Sequence, residues 1–219
     1  MNQTINFITG PTAIGKSTLA IRLATKINGV IINADSMQVY SNLEILTARP
    51  SKKDQDKIRH ELYGYVEGSE RYSVAKWCND ILNLINKNEK NKTPSVIVGG
   101  TGMYIDSLLN GLINLPTIPE IYKKQSKDLI NDIGLENFRK IIFEFDKEAL
   151  KQIATNDTIR VRRIWEIYNS TGITFSEWKK KQNKKFLKNF TYNIYLFTPP
   201  REQIYQNVNI RFNKMIKNG

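Results

Sequence analysis

The chain has 219 residues, 40% of them hydrophobic, enough to bury one substantial core and a smaller appended module. Its 33 Lys and Arg outnumber 21 Asp and Glu, and the net charge of +12 points to a polyanionic partner without bearing on fold. One cysteine, Cys78, and one histidine, His60, exclude an internal disulfide and a multi-ligand Cys/His metal site, and suit a reducing cytoplasm. The opening MNQTINFITG lacks the basic and apolar regions of a signal peptide, and no apolar run reaches membrane-span length, so a soluble intracellular protein is expected.

In chain order, the apolar run Ile5, Phe7, Ile8 predicts a strand, and Leu19, Leu23 and Ile27 recur at helical spacing. Between them Gly10, Pro11, Thr12, Ala13, Ile14, Gly15, Lys16 and Ser17 fit the G-x-x-x-x-G-K-[ST] phosphate loop. Backbone N–H groups of such a turn, with the N-terminus of the following helix, form a concave anion site. Lys16 would bring a positive charge to the outer phosphates and Ser17 a hydroxyl for Mg²⁺.

Val30–Ile32 predict a second buried strand, which runs into Asn33, Ala34, Asp35 and Ser36. In doubly wound sheets ligands bind at the carboxyl ends of strands, so Asp35 and Ser36 belong near the phosphate loop. On the residues alone Asp35 reads as a helix N-cap or a metal-binding acid as well as a group for chemistry. A turn at Thr47–Ser51 leads to a polar helix-like stretch ending at His60, which reads as a general base or, more simply, as a packing residue. Leu62–Val66 predict a short strand. Ser73 caps a helix carrying Trp77, Ile81, Leu84 and Ile85 on one face, and Asn86–Thr93 read as a surface connection.

Ser95–Val98 predict a third buried strand, and Gly99, Gly100 and Gly102 permit close backbone approach around Thr101, the one hydrogen-bonding side chain of that turn. No acid follows this strand, which leaves Asp35 as the acid placed for chemistry. Two prolines, Pro116 and Pro119, mark a boundary, and the pattern is helical from there to about Phe190. Residues 116–157 carry seven basic and eight acidic side chains, whereas residues 158–190 carry nine basic and two acidic. Arg160, Arg162, Arg163, Lys179, Lys180, Lys181, Lys184, Lys185 and Lys188 form this basic part, either a solvated face or a set of nucleic-acid backbone contacts. Trp165 and Trp178 read as packing residues. Tyr192–Phe197 predict a returning strand, and Ile204, Val208, Phe212 and Met215 the buried stripe of a last helix bordered by Arg211.

The motifs GPTAIGKST, INADSMQVY, LTARPS, YSVAKW, VGGTGMYIDSLLNGL, NDTIRVRRIWEIYNSTG and REQIYQNVNIRFNKMIKNG resemble, in order and spacing, those of the tRNA dimethylallyltransferases, also called tRNA isopentenyltransferases. The resemblance implies an α/β fold with a P-loop NTPase-like parallel sheet flanked by helices, residues 1–115 and 191–219. An all-helical, tRNA-binding insertion would occupy residues 116–190. It also implies that relatives continue past the position of Gly219.

The implied reaction moves a dimethylallyl group from dimethylallyl diphosphate to N6 of the adenosine immediately 3′ of the anticodon, in tRNAs reading codons that begin with U. The chain would act as a cytoplasmic monomer with Mg²⁺, and the loop from Gly10 to Ser17 would hold diphosphate where related folds hold ATP. By resemblance Asp35 is the general base, Thr101 helps hold the amine, and Lys16 and Arg211 stabilise the leaving group. Asp35, Ser36, Met37 and Gln38, with Ile159, Arg160, Val161, Arg162 and Arg163, would contact the anticodon stem-loop. Ile159 stands where the family usually has glutamine. An adenylate isopentenyltransferase and a small-molecule kinase with the same loop are the rival expectations.

Overall fold

The computed structural model describes residues 4–113, 115–181 and 185–217. The chain folds as two compact units, one formed by Met1–Gly111 and Lys185–Gly219, the other by Leu112–Lys184. The changeovers fall a few residues ahead of 116 and 191.

The first unit is built on five strands, β1 (Ile5–Thr9), β2 (Val30–Asn33), β3 (His60–Glu61), β4 (Ser95–Gly99) and β5 (Tyr192–Leu196). Every pairing is parallel and the order is β3-β2-β4-β1-β5. Parallel neighbours need crossover connections, supplied here by helices α1 (Lys16–Lys26), α2 (Glu44–Thr47), α3 (Lys52–Lys57), α4 (Val74–Lys90) and α5 (Gly102–Asn110). The apolar runs of β1, β2 and β4 are buried because these are the interior strands. Ala20 and Ala24 bring α1 close onto Ile8, Ile31, Val96 and Val98. From α4, the buried Trp77 stacks on Tyr104 of α5 at 4.6 Å and donates from Nε1 to the Asn33 carbonyl at 2.8 Å. Each fully buried Ile or Phe contributes about 1.5–3 kcal/mol. Cys78 belongs to this core, its thiol pushed up to about 11 by burial.

Three sequence expectations are corrected. The strand expected at Leu62–Val66 lies earlier, at His60–Glu61, because Leu62 adopts a left-handed conformation (φ 63°) that ends the ladder. Val66 returns only as a single bridge to Tyr40. The polar run from Asn86 continues α4 to Lys90, since Asn88 is buried and spans from Arg59 to Ser95 Oγ. In α9 (Arg201–Lys217) no residue is fully buried: Ile204, Val208, Arg211 and Met215 are half-buried, and Phe212 is exposed.

The second unit holds α6 (Glu120–Leu150), α7 (Thr158–Thr171) and α8 (Phe175–Lys180), with no strand among its described residues. Gly134 (φ 77°) and Asp146 (φ −144°) interrupt α6, and only glycine takes the first conformation without strain. Asp146 stabilises its own break by accepting from the Ala149 and Ser176 amides at 3.1 and 3.0 Å. Phe138, Ile142, Leu150, Val161 and Ile164 form the core, with Trp165 packed against it as expected. Among the described residues no helix is long and apolar enough to cross a membrane.

A Cβ added at Gly99 would sit 2.1 Å from the Ala34 carbonyl oxygen, where two strand ends converge. Gly99→Ala is therefore expected to cost about 1–3 kcal/mol in urea unfolding, more than Gly102→Ala, whose Cβ meets nothing within 4 Å.

Candidate active site

β1, β2 and β4 end on one edge of the sheet, and a cavity of about 180 Å³ opens there. Thr12 to Ser17 form one wall; Asp35, Gln38, Tyr63, Gly99 and Arg211 contribute to the rest. Positive φ at Gly10 (140°), Ala13 (60°) and Gly15 (86°) folds the loop tightly, as anion-binding turns require, and Gly15 precedes the first turn of α1. Lys16 folds over this loop, donating from Nζ to the carbonyls of Gly10 at 2.9 Å and Pro11 at 2.5 Å. Burial lowers its pKa, against the opposing charge of Asp35, while Arg211 adds to the lowering.

Asp35 is the first residue past the β2–β4 ladder, which ends where Ala34 N–H bonds the Val98 carbonyl at 2.8 Å. Its Oδ1 accepts from the Met37 and Gln38 amides at 2.9 and 3.4 Å, so the carboxylate caps the turn Ser36–Val39 as well as lining the cavity. Thr101 stands beside this turn: its hydroxyl accepts from Ser36 N–H at 2.9 Å and donates to Ser36 Oγ at 3.3 Å. Met37 is exposed, and Gln38 donates to the Thr47 carbonyl at 2.9 Å. Arg211 reaches in from α9, donating to Thr12 Oγ1 at 2.9 Å and to the same Thr47 carbonyl at 3.1 Å.

The donor set fits a hard cation only with help from a ligand. Ser17 offers a hydroxyl and Asp35 a carboxylate, and no group of three His, Cys, Asp or Glu able to hold a metal exists among the described residues. A magnesium ion here would complete its oxygen shell from phosphate and water.

Ile159 to Arg163 lie on α7 of the helical unit, and they are not equivalent. Val161 is buried core, Ile159 is 80% exposed, and Arg160 pairs with Asp157 at the helix start. Arg162 points inward, donating to Ser126 Oγ at 3.0 Å and the Lys123 carbonyl at 2.9 Å, and it pairs at 3.4 Å with Glu166, whose side chain is 7% exposed. Of the lysine run, Lys179 bonds Gln152, Lys180 approaches Glu148 at 3.8 Å and Lys181 lies over the Trp178 ring. Lys184 lies outside the described residues. His60 does not itself line the cavity but packs edge-on against Tyr63, which does; its Nδ1 engages the Ile58 carbonyl and burial lowers its pKa.

Sequence reasoning missed Tyr63, Thr47 and Ala48 as cavity residues. Tyr63 was hidden in an apparent strand, and burial, with the charge of Asp35, pushes its phenol above the ordinary range. Ala48 carried the one available signal, its place in the LTARPS turn, where it adopts φ 48°.

A parallel sheet with a glycine-rich loop feeding α1 and converging charges at the strand ends defines a P-loop NTPase-like core. Comparison with known proteins narrows this: a family model described as IPP transferase matches residues 38–219, and the chain belongs to that family. It is 39% identical to a tRNA dimethylallyltransferase of Pelagibacter ubique, covering 98% of this chain and 68% of that protein. It is 38% identical to one of Wolbachia pipientis, covering 100% and 72%. A eukaryotic dimethylallyltransferase acting on tRNA superposes with a TM-score of 0.84 at 28% identity, covering 99% of this chain and 54% of that one. A full-length tRNA isopentenylpyrophosphate transferase of Bacillus halodurans gives 0.64 at 28%, covering 99% and 67%. The chain thus spans about two thirds of the bacterial relatives and about half of the eukaryotic one.

Two outcomes follow from this geometry. Lys16 deprotonates below the ordinary 10.5, so affinity for inorganic diphosphate falls as pH rises through the alkaline range below that value, and Lys16→Arg moves the fall to higher pH; calorimetric titration at fixed ionic strength reads both. Arg162→Ala leaves the buried Glu166 with Ser126 Oγ at 2.8 Å and Arg163 at 3.7 Å as its charged neighbour, and costs about 3 kcal/mol in urea unfolding, whereas Arg160→Ala costs under about 0.5 kcal/mol.

Proposed function

We propose that this chain transfers the dimethylallyl group of dimethylallyl diphosphate to N6 of the adenosine immediately 3′ of the anticodon, in tRNAs reading codons that begin with U. The observation that carries this reading is the convergence, in one cavity, of a glycine-rich loop of phosphate-loop sequence and a strand-end carboxylate, only one oxygen of which is hydrogen-bonded among the described residues. A diphosphate needs the first and a weakly nucleophilic amine the second.

In this reading the allylic carbon–oxygen bond breaks, its electron pair leaves with diphosphate, and the adenine N6 lone pair forms the new carbon–nitrogen bond. Negative charge therefore grows on the leaving group, where Lys16, the loop amides and Arg211 stabilise it. Lys16 must first exchange its two carbonyl partners for phosphate oxygens, a swap that also relieves the desolvation of its ammonium. Asp35 takes the N6 proton, leaving a neutral secondary amine. Magnesium, when bound through Ser17 and the phosphates, supplies further charge neutralisation.

The target base has to leave its stack to reach such a site, and the basic side chains of the helical unit would hold the anticodon arm meanwhile. Ser36, Met37 and Gln38, next to Asp35, would meet the extruded nucleotide. The chain would work as a monomer in the cytoplasm. A free nucleotide as acceptor, the adenylate isopentenyltransferase reading, leaves the basic helical unit without a purpose.

Labelled dimethylallyl diphosphate, Mg²⁺ and either unmodified tRNA or AMP provide the test. Label enters tRNA and not AMP, and Asp35→Ala lowers the rate by about 10²- to 10⁴-fold with tRNA affinity nearly unchanged. Label on AMP alone, or normal turnover by the variant, contradicts the assignment.

A further inference from the structure

Asp35 lies just beyond the strand ladder, so its main-chain groups have no partner strand. Both are instead taken up by one side chain. Asn33 Oδ1 accepts from the Asp35 amide at 2.9 Å, and Asn33 Nδ2 donates to the Asp35 carbonyl, also at 2.9 Å. The second Nδ2 proton goes to the carbonyl of Leu62 at 3.0 Å. The Asn33 carbonyl in turn receives the Trp77 indole N–H. The residue is fully buried, and no buried side-chain polar atom among the described residues lacks a partner.

We propose that Asn33 is a positioning residue for the general base, its carboxamide joining the Asp35 main chain to the Leu62–Tyr63 loop and so fixing two walls of the reaction cavity together. The proposal rests on the function assigned above to Asp35.

The chemistry of the joint selects the residue. It calls for two donors and one acceptor on one short planar group, which asparagine supplies. Aspartate at this position would set a buried carboxylate against two carbonyl oxygens, and alanine would leave one N–H and two C=O groups unpaired. Leu62 holds a left-handed φ of 63°, a conformation that persists only where surrounding bonds impose it, and the bond to Asn33 is one of these. The following residue, Tyr63, lines the cavity with Asp35. Asp35 Oδ1 is tied to the amides of Met37 and Gln38, so rotation of the Asp35 main chain would carry the carboxylate and its turn with it.

The test compares the full chain with Asn33→Ala and the milder Asn33→Ser, whose hydroxyl is too short to reach Leu62. Hydrogen exchange reads the geometry without reference to activity: the Asp35 amide exchanges about tenfold faster in Asn33→Ala, with the Ile32 and Ala34 amides protected as in the parent. Transfer kinetics read the consequence: kcat falls by about 10²-fold while KM for dimethylallyl diphosphate stays within about twofold, because displacement of the base leaves the phosphate loop intact. On an Asp35→Ala background the same substitution lowers the residual rate no further, as expected of a residue that acts through Asp35. Where alanine prevents folding, Asn33→Ser shows the same pattern at smaller amplitude. Unchanged Asp35 exchange, or a loss of kcat equally large without Asp35, overturns the proposal. A parent chain that transfers nothing to tRNA counts against the assigned function, and the exchange measurement still decides the role of Asn33.

Discussion

A sheet in which every strand runs the same way gathers all its carboxyl ends on one edge, and the rest of this molecule follows from that constraint. Such an edge is where main-chain groups leave the ladder and need new partners. In this chain the loop after β1 forms one wall of the cavity. The segment after β2 has its amides taken by Asn33, Asp35 and Thr101. At the end of β4 Gly99 lets the backbone pass close enough to Ala34 for Thr101 N–H to reach the Ala34 carbonyl. Three strand ends thus share one small volume, and the polar groups needed to close them off are the same groups that surround the cavity.

Charge is arranged with similar economy of partners. Lys16 is half-buried between its own loop carbonyls, a neighbouring carboxylate and a neighbouring guanidinium, so its surroundings neither neutralise nor fully solvate it. Arg211 spans the phosphate loop and the Thr47 turn, linking two segments far apart in sequence. In the helical unit the half-buried Arg162 joins the buried Ser126 and Glu166 and so ties α6 to α7, and this consumes one arginine of a segment that looked uniformly available for RNA.

Much of this was legible in the sequence because the relevant signals are local. Gly15, Lys16 and Ser17 announce a phosphate loop by spacing alone, and three apolar runs announce interior strands by length. The division between an α/β core and a helical stretch showed in the two prolines and in the loss of strand-like runs. What stayed hidden depends on distant partners. Asn88 looks like part of a polar surface run until Arg59 and Ser95 are found beside it. Tyr63 looked like one position of an alternating strand until Leu62 broke the ladder. Arg160, Arg162 and Arg163 are indistinguishable by composition, and only the position of Ser126 separates the inward one from its neighbours. Phe212 followed the helical period expected of a buried residue yet faces solvent, since periodicity predicts a face and not what covers it.

β5 adds a colloidal property to the molecule. Among the described residues it is an edge strand with one neighbour, and Tyr192, Ile194, Tyr195 and Leu196 are all exposed on it. An uncovered apolar edge invites another strand to pair with it, while a net charge of +12 keeps identical molecules apart. Salt screens that repulsion, and it equally weakens attraction to a polyanion. Ionic strength would therefore act twice and in opposite senses, weakening attraction to any polyanion while favouring pairing at this edge.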